Sequence, residues 1–411
     1  MRRVNLFATA AMIAVGVVAS FASPVRAQVT AFEGARIIVG DGSAPIENGT
    51  IVINGARIVS VGPTASANVP AGARHVSLAG KTVMPDIIDT HTHLSQSREE
   101  VIKDLTRRAY WGVSAANSMG TDETEAELQL RGQTVPRQAR VYTAYRGITR
   151  PEPGRDMAPF WIQTPAEGRN AVQQLVAKKV DIVKVWVDDR DGKYQKLTPE
   201  MYGAIIDEAH KANFRVTAHI FKLDDAKGLL KANVDAFAHS VRDKDVDDEF
   251  MALMRQHPNI VVNPNLPPRG MKTDVSWLSG RISAAEMANV DKGNVDDPKA
   301  QTAHGIQARN LKRLNAAGIK IILGTDGNTP WAPHTEMEDM VLAGMTPMQV
   351  IVASTKNAAE FLRIADAGTL AAGKSADILV LDANPLDDIK NTRKISAVYL
   401  YGQTVDRTKY P

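Results

Sequence analysis

The chain has 411 residues, 44% hydrophobic and 23% charged, and its 29 glycines and 21 prolines are close to ordinary usage. That balance belongs to a globular protein and excludes collagen-like and low-complexity chains. There are no cysteines, which removes disulfide scaffolds, thiolate metal sites and cysteine nucleophiles. The formal net charge is +3, but Arg2, Arg3 and Arg26 lie in the first 27 residues; without them 46 basic groups face 46 acidic ones, so no basic field for nucleic acid remains.

Residues 1–27 read as a secretory signal: a basic start, an apolar run over 6–21 and a small-residue site at Val25-Arg26-Ala27. A membrane anchor is the other reading, but the run is shorter than the roughly 20 residues a span needs. The expected product is periplasmic or secreted, with no membrane attachment after cleavage.

Short alternating runs follow. Residues 32–39 form a strand that Gly40-Asp41-Gly42 ends, and 50–54 and 57–61 flank Gly55 as a hairpin. Residues 76–78 and 81–84 continue this β unit, and 376–382 and 395–401 have the same character at the other end. Neither terminal piece has enough strands to bury two faces alone. The expectation is one small β-sandwich built from both chain ends, residues 28–84 and 365–411.

Residues 85–364 have another rhythm, in which apolar runs alternate with amphipathic stretches. Eight strands are predicted at 87–91, 112–117, 140–146, 181–187, 215–219, 236–239, 259–263 and 320–324. Helices are predicted at 98–110, 171–178, 199–212 and 306–317. The fold class is α/β, and eight such units fit a (β/α)8 TIM barrel. A doubly wound sheet is the alternative, but no glycine-rich phosphate loop follows a first strand. The irregular stretch after strand seven, extended to residues 264–300, is expected to cover the pocket, with Trp277 as its anchor.

The chemistry gathers at predicted strand ends. His91 and His93 are two apart, so in a strand they face one side and can share a metal, although one such pair alone is common. His219 ends the fifth strand, His239 the sixth, and Asp326 follows the eighth. Lys184 stands inside the apolar run Ile182-Val183-Lys184-Val185-Trp186-Val187. A lysine there is costly unless neutralised or paired, or unless it snorkels at a rim. Barrel enzymes place their working residues at these ends. Neutral imidazoles and a carboxylate suit zinc. A buried lysine has a depressed pKa, and its neutral amine can take up carbon dioxide as a carbamate that bridges two cations. Two metals roughly 3.5–4 Å apart can share a hydroxide of lowered pKa.

These residues, with residues 84–94, Ala238-His239-Ser240, Gly324-Thr325-Asp326, residues 343–347 and Gly373-Lys374-Ser375-Ala376-Asp377, resemble the amidohydrolase superfamily. Within it the chain is similar to the imidazolonepropionase-like branch that contains Xaa-Pro and Xaa-Arg dipeptidases and ochratoxin-type amidases. The resemblance implies His91, His93 and Asp326 on one metal, His219 and His239 on the other, and carboxylated Lys184 between them. It implies two divalent ions, zinc by preference, and Asp326 as the catalytic acid–base. The implied reaction is hydroxide attack on the amide bond of a dipeptide, an N-acyl amino acid or an aryl amide. A lactonase, esterase or phosphotriesterase on the same site is the alternative. Tyr145, Arg146 and His334, at or just past strand ends, are the candidates for binding the substrate. The expected partner is a small amide or dipeptide; a homo-oligomer is compatible with the sequence, which does not fix the assembly.

Three departures stand out. Asp86 follows Pro85 where the family usually has Gly. Ser118 precedes Met119-Gly120 where it usually has Asp. Lys222 stands three residues after His219, where the deaminases and imidazolonepropionase carry Glu.

Overall fold

A computed structural model describes residues 29–411. The proposed signal segment lies outside the described residues. The first strands are β1 (Val29–Ile37), β2 (Ile46–Asn54), β3 (Arg57–Pro63), β4 (Arg74–Ser77) and β5 (Thr82–Pro85). Next come β6 (Ile87–Thr92), α1 (Arg98–Tyr110), β7 (Val113–Ser118), α2 (Ala126–Leu130), β8 (Arg140–Thr143), β9 (Ile148–Thr149) and β10 (Phe160–Trp161). Helices and strands then alternate: α3 (Pro165–Ala177), β11 (Val183–Val187), α4 (Pro199–Lys211), β12 (Val216–Ile220), α5 (Leu223–Lys231), β13 (Ala236–Phe237), α6 (Asp248–Gln256) and β14 (Val261–Val262). The chain continues through α7 (Ala284–Gly293), α8 (Pro298–Ala316), β15 (Lys320–Ile321), α9 (Ala332–Leu342), α10 (Pro347–Ser354) and α11 (Lys356–Phe361). It finishes with β16 (Ile378–Leu381), β17 (Ile395–Leu400) and β18 (Gln403–Thr404).

Local chemistry sets these bounds. Ser97 caps α1 by accepting the Glu100 N–H, acids fill the first turn, and Arg107 and Arg108 fill the last, as the helix dipole favours. Thr164 and Glu167 form a reciprocal capping box on α3, and Pro165 supplies a preset first turn. Strands β6, β11 and β12 at the centre are short, parallel and buried throughout, so they read as apolar runs rather than alternating ones.

The strands form three sheets. One has eight strands in the order β18-β17-β16-β5-β1-β2-β3, with β4 beside β1, so both chain ends build it. Its junction is the antiparallel pairing of Ile378–Leu381 with Thr82–Pro85. The other two are parallel: β6-β7-β8, and β10-β9-β11-β12-β13-β14-β15. Hydrogen bonds pass between them at two places. Thr90 N–H donates to the Leu323 carbonyl at 3.0 Å, and Asp181 N–H donates to the Thr143 carbonyl at 2.9 Å. All eight predicted central strands are present, with β13, β14 and β15 shortened to two residues each. Helices α2, α5, α6, α7, α9, α10 and α11 were not among the predicted ones.

Candidate metal centre

The last residues of β6 and the first residues after β15 lie side by side. The His91 carbonyl accepts the N–H of both Thr325 (3.0 Å) and Asp326 (2.8 Å). Asp326 has φ +55°, a left-handed conformation that a non-glycine residue adopts at a cost. That turn carries its carboxylate back over the strand ends. Asp326 Oδ1 is then 3.2 Å from His91 Nε2 and 3.0 Å from His93 Nε2. Lys184 Nζ is 3.4 Å from His91 Nε2. His239 Nε2 is 3.8 Å from Asp326 Oδ2, and the His219 and His239 rings meet edge to face with centroids 4.4 Å apart.

Close backbone contact makes room for this cluster. A Cβ on Gly120 (φ +94°) would stand 2.9 Å from Lys184 Cγ, and one on Gly324 would stand 2.7 Å from His91 Cβ. Only glycine serves at either place.

The far sides of the rings are held as well. Thr121 Oγ1 is 2.8 Å from His93 Nδ1. The Ala238 carbonyl is 3.2 Å from His91 Nδ1, and the Asn265 amide nitrogen is 2.6 Å from both that carbonyl and that ring nitrogen. Asp188 Oδ2 accepts from His219 Nε2 at 3.1 Å and binds Arg190 Nη1 at 2.6 Å. Outer partners of this kind orient ligating histidines.

Burial sets the charge states. It pushes the Lys184 ammonium down to about 7, with Asp326 opposing the shift and Arg242 and Arg190 adding to it. It lowers His219 to about 4 and carries His91 and His239 well below the usual imidazole value. For Asp326 burial acts upward, but His91, His93 and Lys184 outweigh it and hold the carboxyl well below its ordinary value. At neutral pH the centre therefore presents the Asp326 carboxylate, neutral rings at His91, His219 and His239, and the Lys184 amine near its midpoint. Donor atoms of His91, His239 and Asp326 lie within 4.8 Å of one another. His239 Nε2 is buried and has no hydrogen-bond partner. An orphaned buried nitrogen among such donors fits a divalent ion.

A cavity of about 470 Å³ opens onto the centre. Its wall includes His93, His219, Asp326, Arg155, Arg190 and Arg242, while Trp186 and Met157 are its main apolar surfaces. Tyr145, Arg146 and His334 are not in this wall. The predicted third strand stops at Thr143, and Tyr145 turns with φ +55°, so its ring packs into the core beneath Lys178. The Arg146 guanidinium donates to the Ala158 and Pro159 carbonyls and lies over the Phe160 ring. His334, fully buried at the start of α9, contacts the Trp111 carbonyl at 2.9 Å and the Thr392 hydroxyl at 3.1 Å. These three expected substrate contacts are thus spent on packing and loop anchoring. Residues 264–300 also depart from expectation: they line a separate cavity, and only Asn265 reaches the histidines.

The departures have local explanations. The Ser118 and Thr143 hydroxyls both donate to buried Asp122, which restores an acid beside the end of the second strand. Burial pushes that acid up to about 6. Asp86 is buried with both oxygens unpartnered, and burial followed by Asp377 drives its carboxyl well above the ordinary value. Lys222 leaves the centre to pair with Asp189 at 2.5 Å.

A family model for amidohydrolases matches residues 82–405. The chain belongs to the amidohydrolase family. It is by that membership a hydrolase of amide bonds. Imidazolonepropionase of Shouchella clausii is 24% identical over 371 residues, covering 82% of this amidohydrolase and 80% of the relative. Ochratoxinase of Aspergillus niger is 26% identical over 271 residues, covering 61% and 52%. Among solved structures, a Xaa-Pro dipeptidase with bound methionine in its active site superposes with a TM-score of 0.74 at 22% identity, covering 92% of this chain and 99% of the other. That last likeness speaks for the fold.

Asp188, Arg190, Arg242, Asn265 and Thr121 surround the donors yet were not singled out from sequence. The available signal was position: Asp188 directly follows the lysine strand, and Arg242 stands three residues after His239.

Proposed function

We propose that this amidohydrolase uses two divalent cations, zinc by preference, to cleave the amide bond of a dipeptide or N-acyl amino acid. One observation carries the reading: both Nε2 atoms of a strand-end histidine pair meet one Asp326 oxygen, with a buried neutralisable lysine 3.4 Å away. His91, His93 and Asp326 would hold one cation, His219 and His239 the other, and Lys184, carboxylated by carbon dioxide, would reach both. Cations held there supply a nucleophilic water at neutral pH and polarise the carbonyl.

The chain's own groups do the rest. Asp326, kept ionised by its neighbours, accepts the proton of the attacking water and passes it to the leaving nitrogen. Thr121 and Asp188 hold the His93 and His219 rings in place. The polar wall, with Trp186 and Met157 as its main apolar surfaces, favours a small polar amide over a bulky aryl one.

The finer fold reading goes with this: the two parallel sheets are arcs of one eight-unit barrel (residues 85–364), and the terminal strands (28–84 and 365–411) form a sandwich beside it. Export by cleavage after residue 27 remains our expectation. Among the described residues no helix is long and apolar enough to cross a membrane.

The test is hydrolysis of dipeptides, N-acyl amino acids, a lactone and a phosphotriester by the zinc-loaded and metal-stripped protein. Metal-dependent cleavage of the amides is expected. Preference for the lactone or the phosphotriester would replace the amide reading, and activity indifferent to metal would remove the cations from it.

A further inference from the structure

The Asp326 carboxylate reaches the strand ends because its backbone is left-handed, with φ +55°. A non-glycine residue keeps such a conformation only where its surroundings fix it from several sides. Residues 325–328 belong to no helix or strand, yet every one of them is tied to the stretch from Asp89 to Arg108. The Thr325 hydroxyl donates to Asp89 at 2.8 Å. The N–H groups of Thr325 and Asp326 share the His91 carbonyl. The Gly327 carbonyl accepts the His93 N–H at 3.2 Å and the Arg108 guanidinium at 3.3 Å. The Asn328 side-chain amide donates to the Asp104 carboxylate at 2.7 Å and reaches the Ser95 hydroxyl at 3.3 Å.

The ties from β6 follow from its being the neighbour of this turn. Those from α1 do not. Val101, Asp104, Leu105 and Arg108 recur at helical spacing on the buried face of α1, where apolar side chains are expected. Buried charges are costly unless they are matched or hydrogen-bonded. Asp104 spends one oxygen on both the Ser95 N–H, at 3.0 Å, and the Asn328 amide. For Arg108 the bond to the Gly327 carbonyl is its only side-chain hydrogen bond among the described residues, and Nε and Nη1 have no partner. Burial lowers its pKa, and Asp89 and Asp104 act against that shift. Packing of α1 on the barrel needs neither charge. The two side chains meet the chain at one place, the pair of residues directly after Asp326.

We propose that Asp104 and Arg108 are positioning residues for Asp326: α1 clamps Gly327 and Asn328 and so keeps the carboxylate turned over the strand ends. This role rests on the proposed part of Asp326 in the reaction, and two measurements read them apart. Deuterium exchange of the metal-stripped protein, followed on peptides that contain Thr325 and Asp326, reports the turn itself. Turnover by the zinc-loaded protein, on whichever amide of the panel above the parent cleaves fastest, reports the consequence. In Asn328→Ala and Arg108→Met exchange at these two amides should quicken by roughly tenfold, the scale of one lost hydrogen bond. The kcat should fall, by up to roughly 10²-fold for a displacement of about 1 Å, with KM unchanged. Asn328 is exposed, so Asn328→Ala should keep the parent's urea midpoint, and its lost turnover is then not lost fold. Arg108→Lys, whose ammonium still donates, should recover much of the rate.

Exchange that stays at the parent's rate in Asn328→Ala would overturn the clamp, and this holds even if Arg108→Met fails to fold. Faster exchange with an unchanged kcat would overturn the positioning role and take Asp326 out of the proton path. If the parent cleaves no amide of the panel, the proposed function fails, and the exchange rates alone decide whether α1 holds the turn.

Discussion

Two cavities in this amidohydrolase differ in size, lining and purpose. The one of about 720 Å³ lies between residues 268–300, α9 and residues 390–393, and Trp277, Trp331, Leu278 and Val290 wall much of it. The one of about 470 Å³ is walled mainly by charged and polar side chains and ends on His93, His219 and Asp326. Volume alone would choose the first. Chemistry chooses the second, because there imidazoles and the Lys184 amine converge on the Asp326 carboxylate, with His239 Nε2 unpartnered beside them. In the larger cavity charged groups pair with one another, as Arg269 does with Glu338 and Arg393, over the Trp277 ring, does with Glu338. The lesson is that imidazoles and an amine converging on one carboxylate mark a site, whereas arginines crossing to carboxylates mark a joint.

The strongest break of that contrast comes from Asp326→Asn. Turnover should fall by roughly 10²–10⁴-fold with the fold intact by circular dichroism, while Trp277→Ala in the larger cavity leaves turnover close to the parent's. A near-normal rate for Asp326→Asn would remove it from the proton path. Next is Lys184→Ala, which should lose at least one cation when metal content is measured after dialysis. Full retention would show the amine is no ligand.

The larger cavity should reveal itself in stability instead. Trp277 meets Trp111 edge to face at 5.6 Å and lies under Arg393 at 4.5 Å. Trp277→Ala should lower unfolding free energy by ~1–3 kcal/mol in urea titrations, from the lost aromatic and cation–π contacts. An unchanged midpoint would mean these contacts hold nothing.

The smallest effect concerns His334. Burial first, then Arg393 and Arg407, lower it to about 3, against the backbone contact to Trp111 that raises it. The unfolded chain then binds a proton that the folded chain refuses between about pH 6.5 and 3, so stability falls as pH drops through that window. At pH 5.5 the loss from this group is ~1.4 kcal/mol at most. His334→Gln should show a shallower acid decline than the parent. Equal slopes would mean that His334 is not held neutral.

Much of the centre was legible because its residues sit at the ends of buried parallel strands. Such strands announce themselves as apolar runs, and a lysine or histidine within or just after one is conspicuous. Helix α1 was legible to the residue because its cap, its acids and its closing arginines are all local. The outer partners were not legible. Asn265 and Arg242 lie in irregular segments, where no period ties a side chain to a face. Tyr145 and Arg146 misled for a related reason. Their neighbourhood reads as strand, yet the chain turns left-handed at Tyr145, and one such turn redirects every side chain near it. The edge-to-edge union of β5 with β16 needed coordinates to establish, because no local pattern names a partner so distant in sequence.

That union also has a consequence in time. β5 leaves the ribosome about 300 residues before β16, the strand that completes its hydrogen bonding. At synthesis rates of 5–20 residues per second the wait is roughly 15–60 s. Through that interval Val83 and Met84, buried in the finished protein, can pair with β1 on one edge but leave the other edge open. The nascent amino-terminal strands therefore need either a holding partner or an unfolded passage until the carboxyl terminus arrives.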